Sequence, residues 1–219
     1  MKGIKFLGTC LCIAVLSASA FSEEVDVMNV NLVLPKIEKS SGMSLMEALS
    51  KRKSTREFDY TKEIPTQLIS ELLWATTGVN RPDGKRTVGS TLNKQAVSVY
   101  AVFEKGIYLY IPEKHVLDLV CEGDFREQTG MQPFVKDAYL NLVFVGDFEK
   151  LGIEDQQRSI LMLGVDAGLM SQNAYLYCAS KGLGTVVRGS IDGEAFGKLL
   201  KLPPHKKVLL AQTVSWPEK

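Results

Sequence analysis

The chain has 219 residues, 45% of them hydrophobic, with 26 basic against 25 acidic side chains and a formal net charge of +1. That balance excludes a broad basic field for nucleic acid or anionic lipid. The length suits one globular domain with a sizeable core, and two histidines with no Cys-x-x-Cys pair give no metal-site pattern.

In chain order, Lys2 and Lys5 precede an apolar run from Phe6 to Leu16, and Ala18-Ser19-Ala20 has the small-x-small spacing of a cleavage site. This layout predicts a secretory signal peptide over residues 1–20. The run is shorter than the roughly 20 apolar residues a spanning helix needs. A retained anchor and lipidation at Cys10 are the alternatives, and there is no twin-arginine pair. Removing the first 20 of 219 residues leaves 199, expected to be periplasmic or secreted without stable membrane insertion. Cys121 and Cys178 remain. Export permits a disulfide between them, and two separately buried thiols fit the sequence equally.

Residues 21–42 read as an extended segment and linker, and residues 43–219 as the folded domain. Ser44 with Glu47 forms a capping box that starts a helix ending near Lys51 to Ser54. A second helix follows Pro65, with Leu68, Ile69, Leu72 and Leu73 at helical spacing, and stops at Gly78. Residues 79–96 form a loop long enough to be functional. Val97–Phe103 and Ile107–Ile111 predict a β-hairpin. Residues 113–121 read as helix, and Tyr139–Val145 as a buried strand.

Residues 156–181 predict the longest helix. Ile160, Leu161, Leu163, Val165, Leu169 and Leu176 make it apolar on nearly every side, which places it in the core, and Gly182 ends it. Residues 185–187 are a short strand, 193–200 a short helix and 208–214 the closing strand. The class is α+β, with a mostly antiparallel sheet flanked by helices.

Three segments carry chemistry. Lys51-Arg52-Lys53-Ser54-Thr55-Arg56 sets four cations within six positions, a repulsion that an anion among them would relieve. Arg52 can grip a phosphate with its planar fork, and Ser54 can add a hydroxyl. Taken alone, a solvated basic turn is the simpler reading. Asn93-Lys94-Gln95 offers two amides able to donate and accept, as an amide-bearing ring edge requires. Gly182-Leu183-Gly184, running into Val187-Arg188-Gly189, lets backbone come close to a flat ligand, though a plain helix-to-strand turn explains it as well.

In this order the three segments, followed by Val214-Ser215-Trp216-Pro217, resemble the nitroreductase family of flavoproteins across residues 44–217. The Arg86-Thr87-x-x-Ser90 stretch looks closest to the branch that includes thiazoline/oxazoline dehydrogenases, although no Lys-Tyr pair of those enzymes can be placed. The resemblance implies an FMN-dependent oxidoreductase and an obligate homodimer with each flavin at the subunit interface. Hydride or electrons would pass from a small-molecule donor to a small organic acceptor, such as a nitro compound or quinone, by a ping-pong route. No side-chain nucleophile is implied, because the flavin carries the chemistry.

Position by position, the resemblance implies that Arg52 binds the FMN phosphate. Lys53 and Ser54 line the ribityl chain and the pyrimidine side, Arg56 sits by N1 and O2, and Asn93 bonds the pyrimidine edge. Val187, Arg188 and Gly189 pass N5, with residues 121–136 as a lid. There are departures. Ala96 stands where many members have proline, and Arg188 where the family has glutamate. A distal cationic contact to the phosphate would fall to Lys206, Lys207 or Lys219. These departures keep open a flavin-binding protein with little turnover, or a scaffold with an empty pocket. Export also implies a donor other than free NAD(P)H.

Overall fold

Alternation along the strands divides the apolar residues between two cores. On β3 (Val97–Phe103), Val97, Val99 and Ala101 join one cluster while Tyr100 and Val102 join the other. On β6 (Leu140–Asp147), Leu140, Leu142 and Phe144 oppose Val143 and Val145 in the same way. Successive side chains of a strand point to opposite faces, so a sheet apolar on both must be covered on both. The structure is a computed structural model that describes residues 31–39 and 42–218. The expected signal peptide, residues 21–30 and Lys219 lie outside the described residues.

The first face is covered by α2 (Thr66–Thr77) and α4 (Gln156–Lys181), through Leu72, Leu73, Leu163, Ala167 and Met170. The second is covered by α5 (Gly193–Leu199) through Phe196. A shorter helix, α1 (Leu45–Lys51), packs against α4. Its N-cap Ser44 accepts from the Glu47 amide at 3.3 Å, as the capping box requires. Asp155 caps α4 by accepting from the Arg158 amide at 2.6 Å, and Gly182 ends it in the left-handed region at φ 73°.

The sheet runs β1 (Asn31–Val33), β5 (Val116–Glu122), β4 (Gly106–Ile111), β3, β6, β8 (Lys206–Pro217) and β2 (Phe58–Asp59), with β7 (Gly184–Arg188) also paired to β8. Every pairing is antiparallel, so the α+β expectation holds. Among the described residues no helix is long and apolar enough to cross a membrane.

Three expectations need correction. Residues 113–121, expected to be helical, contribute β5, which pairs with β4 and β1. In Val116-Leu117-Asp118-Leu119-Val120-Cys121 the apolar residues satisfy helical and strand periods alike. The pairing edge of β4 decides, reached by a turn in which His115 takes φ 54°. The extended segment contains β1, a three-residue edge strand. The third correction concerns α4. Leu163 is fully buried, but Leu161 is 59%, Ile160 50%, Val165 47% and Leu169 46% exposed in the single chain. Within this chain α4 is a helix with one covered face, and its other apolar face is open. A short helix, α3 (Phe148–Leu151), went unpredicted. Cys121 and Cys178 are both free, on β5 and α4. Burial raises the Cys178 thiol, which keeps it protonated and inert.

Candidate functional site

The basic segment leaves the C-terminus of α1 as extended chain and lies along the far edge of the sheet. Three backbone contacts fix it there. The Thr55 amide donates to the Thr185 carbonyl at 2.9 Å, Phe58 and Asp59 pair with Pro217 and Trp216, and the Glu218 amide donates to the Glu57 carbonyl at 3.2 Å. Gly184 makes the approach possible, because a Cβ there would meet Thr55 Cγ2 at 2.9 Å. The first, third and closing segments of the sequence reading therefore stand side by side.

Tyr175 joins them. Its hydroxyl lies 2.9 Å from Ser54 Oγ and accepts from the Val187 amide at 2.9 Å, while the Arg52 guanidinium sits over its ring at 5.3 Å. A cation on an aromatic face is held without being neutralised. Among the described residues Arg52, Lys53 and Arg56 have no ion-pair partner within 4 Å. Lys53 and Ser54 are exposed. A cleft of about 330 Å³ opens between Lys51, Lys53, Tyr175 and Leu183, and a second of about 350 Å³ runs past Ser54 and Arg56 to Pro217. Unpaired cations and an exposed hydroxyl beside open space are the chemistry of an anion site. The residues present thus fit a phosphate-bearing cofactor.

Along β7, Val187 is half-buried on the Tyr175 side, Gly189 is exposed just past its end, and Arg188 points the other way. Arg188 is 5% exposed. It donates to the Thr129 carbonyl at 2.7 Å and to Asn141 Oδ1 at 3.0 Å, with Phe134 beneath its guanidinium. Among the described residues it has no carboxylate partner, and burial pulls the guanidinium down to about 10. Residues 121–136 are the expected lid; 121 and 122 belong to β5, and Arg188 holds down the rest through Thr129, Gly130 and Phe134. Gly130 abuts Arg188 Nη1 with no room for a Cβ, and the Met131 amide donates to the Ser190 carbonyl at 3.0 Å. The departure from glutamate at 188 therefore places a cation under the lid and not beside the basic segment.

Asn93 stands elsewhere. It closes a 3₁₀ turn in which Leu92, Asn93 and Gln95 all take positive φ, near 50°, a conformation that non-glycine residues hold only when their surroundings impose it. The imposition comes from Asp166 of α4, which accepts from the Thr91 amide at 2.9 Å and from its hydroxyl at 3.0 Å. Asn173 holds the same loop by donating to the Thr87 carbonyl at 3.4 Å. Asp166 and Tyr175 are nine residues apart, roughly 13 Å along the helix and about half a turn around it. One chain does not bring Asn93 to the basic segment.

Of the distal cations, Lys206 and Lys207 do not reach the site either, and Lys219 lies outside the described residues. Lys206 pairs with Asp147 at 3.6 Å and Lys207 sits over Phe148. Both are at the opposite end of β8 from Pro217, roughly 33 Å away for Lys207 at strand rise. Sequence reasoning missed Tyr175 and Asp166. The signal for Tyr175 was its place two helical turns before Gly182, on the same face.

Residues 49–216 match the Nitroreductase family. A solved structure from Ralstonia eutropha, described as a nitroreductase, shares the fold with a TM-score of 0.81 and 39% identity, over 86% of this chain and 90% of that one. A Methanocaldococcus jannaschii protein, also described as a nitroreductase, is 27% identical over 195 residues, 84% of this chain and 96% of that one. The oxygen-insensitive NADPH nitroreductase of Salmonella typhimurium is 38% identical over 101 residues, 41% of this chain and 40% of that one. A chain that sets its unpaired cations against the strand following its longest helix, and that matches these proteins over most of its length, belongs to the nitroreductase family of oxidoreductase enzymes.

Proposed function

We propose that this protein is an FMN-dependent oxidoreductase that passes electrons from a small-molecule donor to a small organic acceptor, such as a nitro compound or quinone, by a ping-pong route. The observation that carries this reading is the set of three cations without carboxylate partners, held against β7 through Tyr175. When bound, FMN would supply the hydride chemistry. Arg52 and Ser54 hold its phosphate, Lys53 lines the ribityl chain, and Arg56 lends positive charge to the pyrimidine side. The backbone from Val187 to Gly189 lies along the ring. The rival reading, a flavin-binding protein with little turnover, drew on a cation near N5 and on a missing distal cation at the phosphate. The burial of Arg188 under residues 123–138 removes the first support, and the placement of Lys206 and Lys207 leaves the second.

The same reading makes the enzyme a homodimer through the open face of α4. Leu161, Val165 and Leu169 form an exposed apolar stripe with Gly164 and Gly168, whose Cβ positions meet nothing within 4 Å. α1 adds exposed Leu45, Met46 and Leu49. So large an open apolar surface marks an interface. In the twofold dimer this reading assigns the pyrimidine edge to Asn93 of the partner subunit, because the loop of Asn93 in the same chain is anchored on the opposite side of α4 from Tyr175.

Lys2, Lys5, Phe6–Leu16 and Ala18-Ser19-Ala20 support export, with the donor other than free NAD(P)H. The test is the visible spectrum of the mature protein after FMN addition, followed by anaerobic mixing with NADH or NADPH. A bound flavin band that bleaches with dithionite and only slowly with either nicotinamide is expected. No bound flavin would overturn the cofactor assignment, and rapid bleaching by either nicotinamide would overturn the donor assignment.

A further inference from the structure

We infer that Tyr175 is a positioning residue that turns the Ser54 hydroxyl into an outward hydrogen-bond donor for the cofactor phosphate. The inference rests on the flavin reading above and names a residue that reading did not require.

The argument is one of proton bookkeeping. The Val187 amide has a proton to give, so the Tyr175 oxygen must accept it. Tyr175 is buried, and its own proton needs an acceptor. Among the described residues Ser54 Oγ, 2.9 Å away, is the one in reach. The phenol therefore donates to Ser54. Ser54, exposed and with no other partner, is left with its hydroxyl proton directed away from the protein. The opposite arrangement, with Ser54 donating inward, would strand a buried phenolic proton and spend the one group able to meet an anion.

The position of this donor follows from the same residue. Arg52 lies over the Tyr175 ring and Ser54 at its hydroxyl, so both project from one aromatic platform. A phosphate gripped by the guanidinium then has the Ser54 proton on the same platform to meet it. Because the Val187 amide is the third partner, the platform also fixes the distance between the phosphate cradle and the β7 backbone.

The experiment is a fluorescence-quenching titration of the mature protein with FMN and with riboflavin, which lacks the phosphate. It uses the wild type, Tyr175→Phe, Ser54→Ala and the double variant, each with a thermal melt to confirm folding. Tyr175→Phe keeps the ring under Arg52 and removes only the hydroxyl. Loss of one hydrogen bond to a charged group predicts about tenfold weaker FMN binding, with riboflavin binding unchanged. Ser54→Ala is expected to match it, and the double variant to be no worse than either single one. An unchanged FMN affinity in Tyr175→Phe, an equal loss for riboflavin, or multiplying losses in the double variant would each overturn the inference. If Tyr175→Phe does not fold, Ser54→Ala decides alone, and an unchanged preference of FMN over riboflavin overturns it. Failure of the wild type to bind either flavin overturns the flavin reading itself and the inference with it.

Discussion

Arg52, set beside β7 through Tyr175, and Arg188, the last residue of β7, both lie over aromatic rings and have no carboxylate partner among the described residues, yet they are opposite kinds of cation. Arg52 is half-buried over Tyr175, in a segment whose Lys53, Ser54 and Arg56 are exposed and line open clefts. Arg188 is sealed under residues 123–138, with Nη1 and Nη2 committed to a carbonyl and an amide oxygen. An unpaired charge that keeps its hydration is available to a ligand. One that has lost its hydration has already been used by the fold. The comparison teaches that the cation within the expected N5 segment is taken up by the fold, and that the cations left without a partner among the described residues begin 136 positions earlier, at residue 52.

That contrast can be broken by substitution. Arg188→Ala leaves a cavity and strands the Thr129 carbonyl, so it should lower stability by about 3 kcal/mol, read as the midpoint of denaturant unfolding. FMN affinity of the folded fraction should change little. A large affinity loss with intact stability would mean that Arg188 serves the ligand.

Leu169→Lys tests the open face of α4. A charge placed in an apolar interface should weaken dimerisation by about 2 kcal/mol, seen as a shift toward monomer in sedimentation. FMN should weaken in parallel if Asn93 of the partner subunit completes the site. A wild type that is monomeric at all concentrations would contradict the dimer reading.

A smaller effect is expected at Glu71, a buried carboxylate on α2. Burial raises it, but hydrogen bonds from Gln67, Lys181 and Tyr177 outweigh that and hold it below its ordinary value of 4.5. A carboxylate depressed in the folded state contributes stability above its unfolded pKa and loses it as pH falls through the folded value. Glu71→Gln should therefore cost about 1 kcal/mol at neutral pH, and the difference from wild type should shrink below pH 4.5. A difference that is flat with pH would remove the carboxylate from the account.

Much of this was readable in the residues. α4 was legible end to end because Asp155 and Gly182 bracket one unbroken helical pattern, and the basic segment announced itself by crowding. β5 was not legible, because its short apolar run fits two periods and its partner strand decides. Nor was the division of α4 into a covered and an open face. Periodicity reports that a surface is apolar, not whether the same chain or another covers it. Tyr175 was hidden for a related reason, since a tyrosine in a core helix reads as packing until its hydroxyl partners are known. Asn93 was singled out as a polar group in a long loop. Only geometry reveals that Asp166 anchors it away from the basic segment of its own chain.

The central claim is that Arg52 holds the phosphate of a bound flavin. Titrating FMN into the mature wild type and into Arg52→Ala, with unfolding monitored in parallel, tests it most directly. Loss of a bidentate contact to phosphate predicts about 30- to 100-fold weaker binding with stability nearly unchanged. Equal affinity in the two proteins would place the phosphate elsewhere and contradict the account.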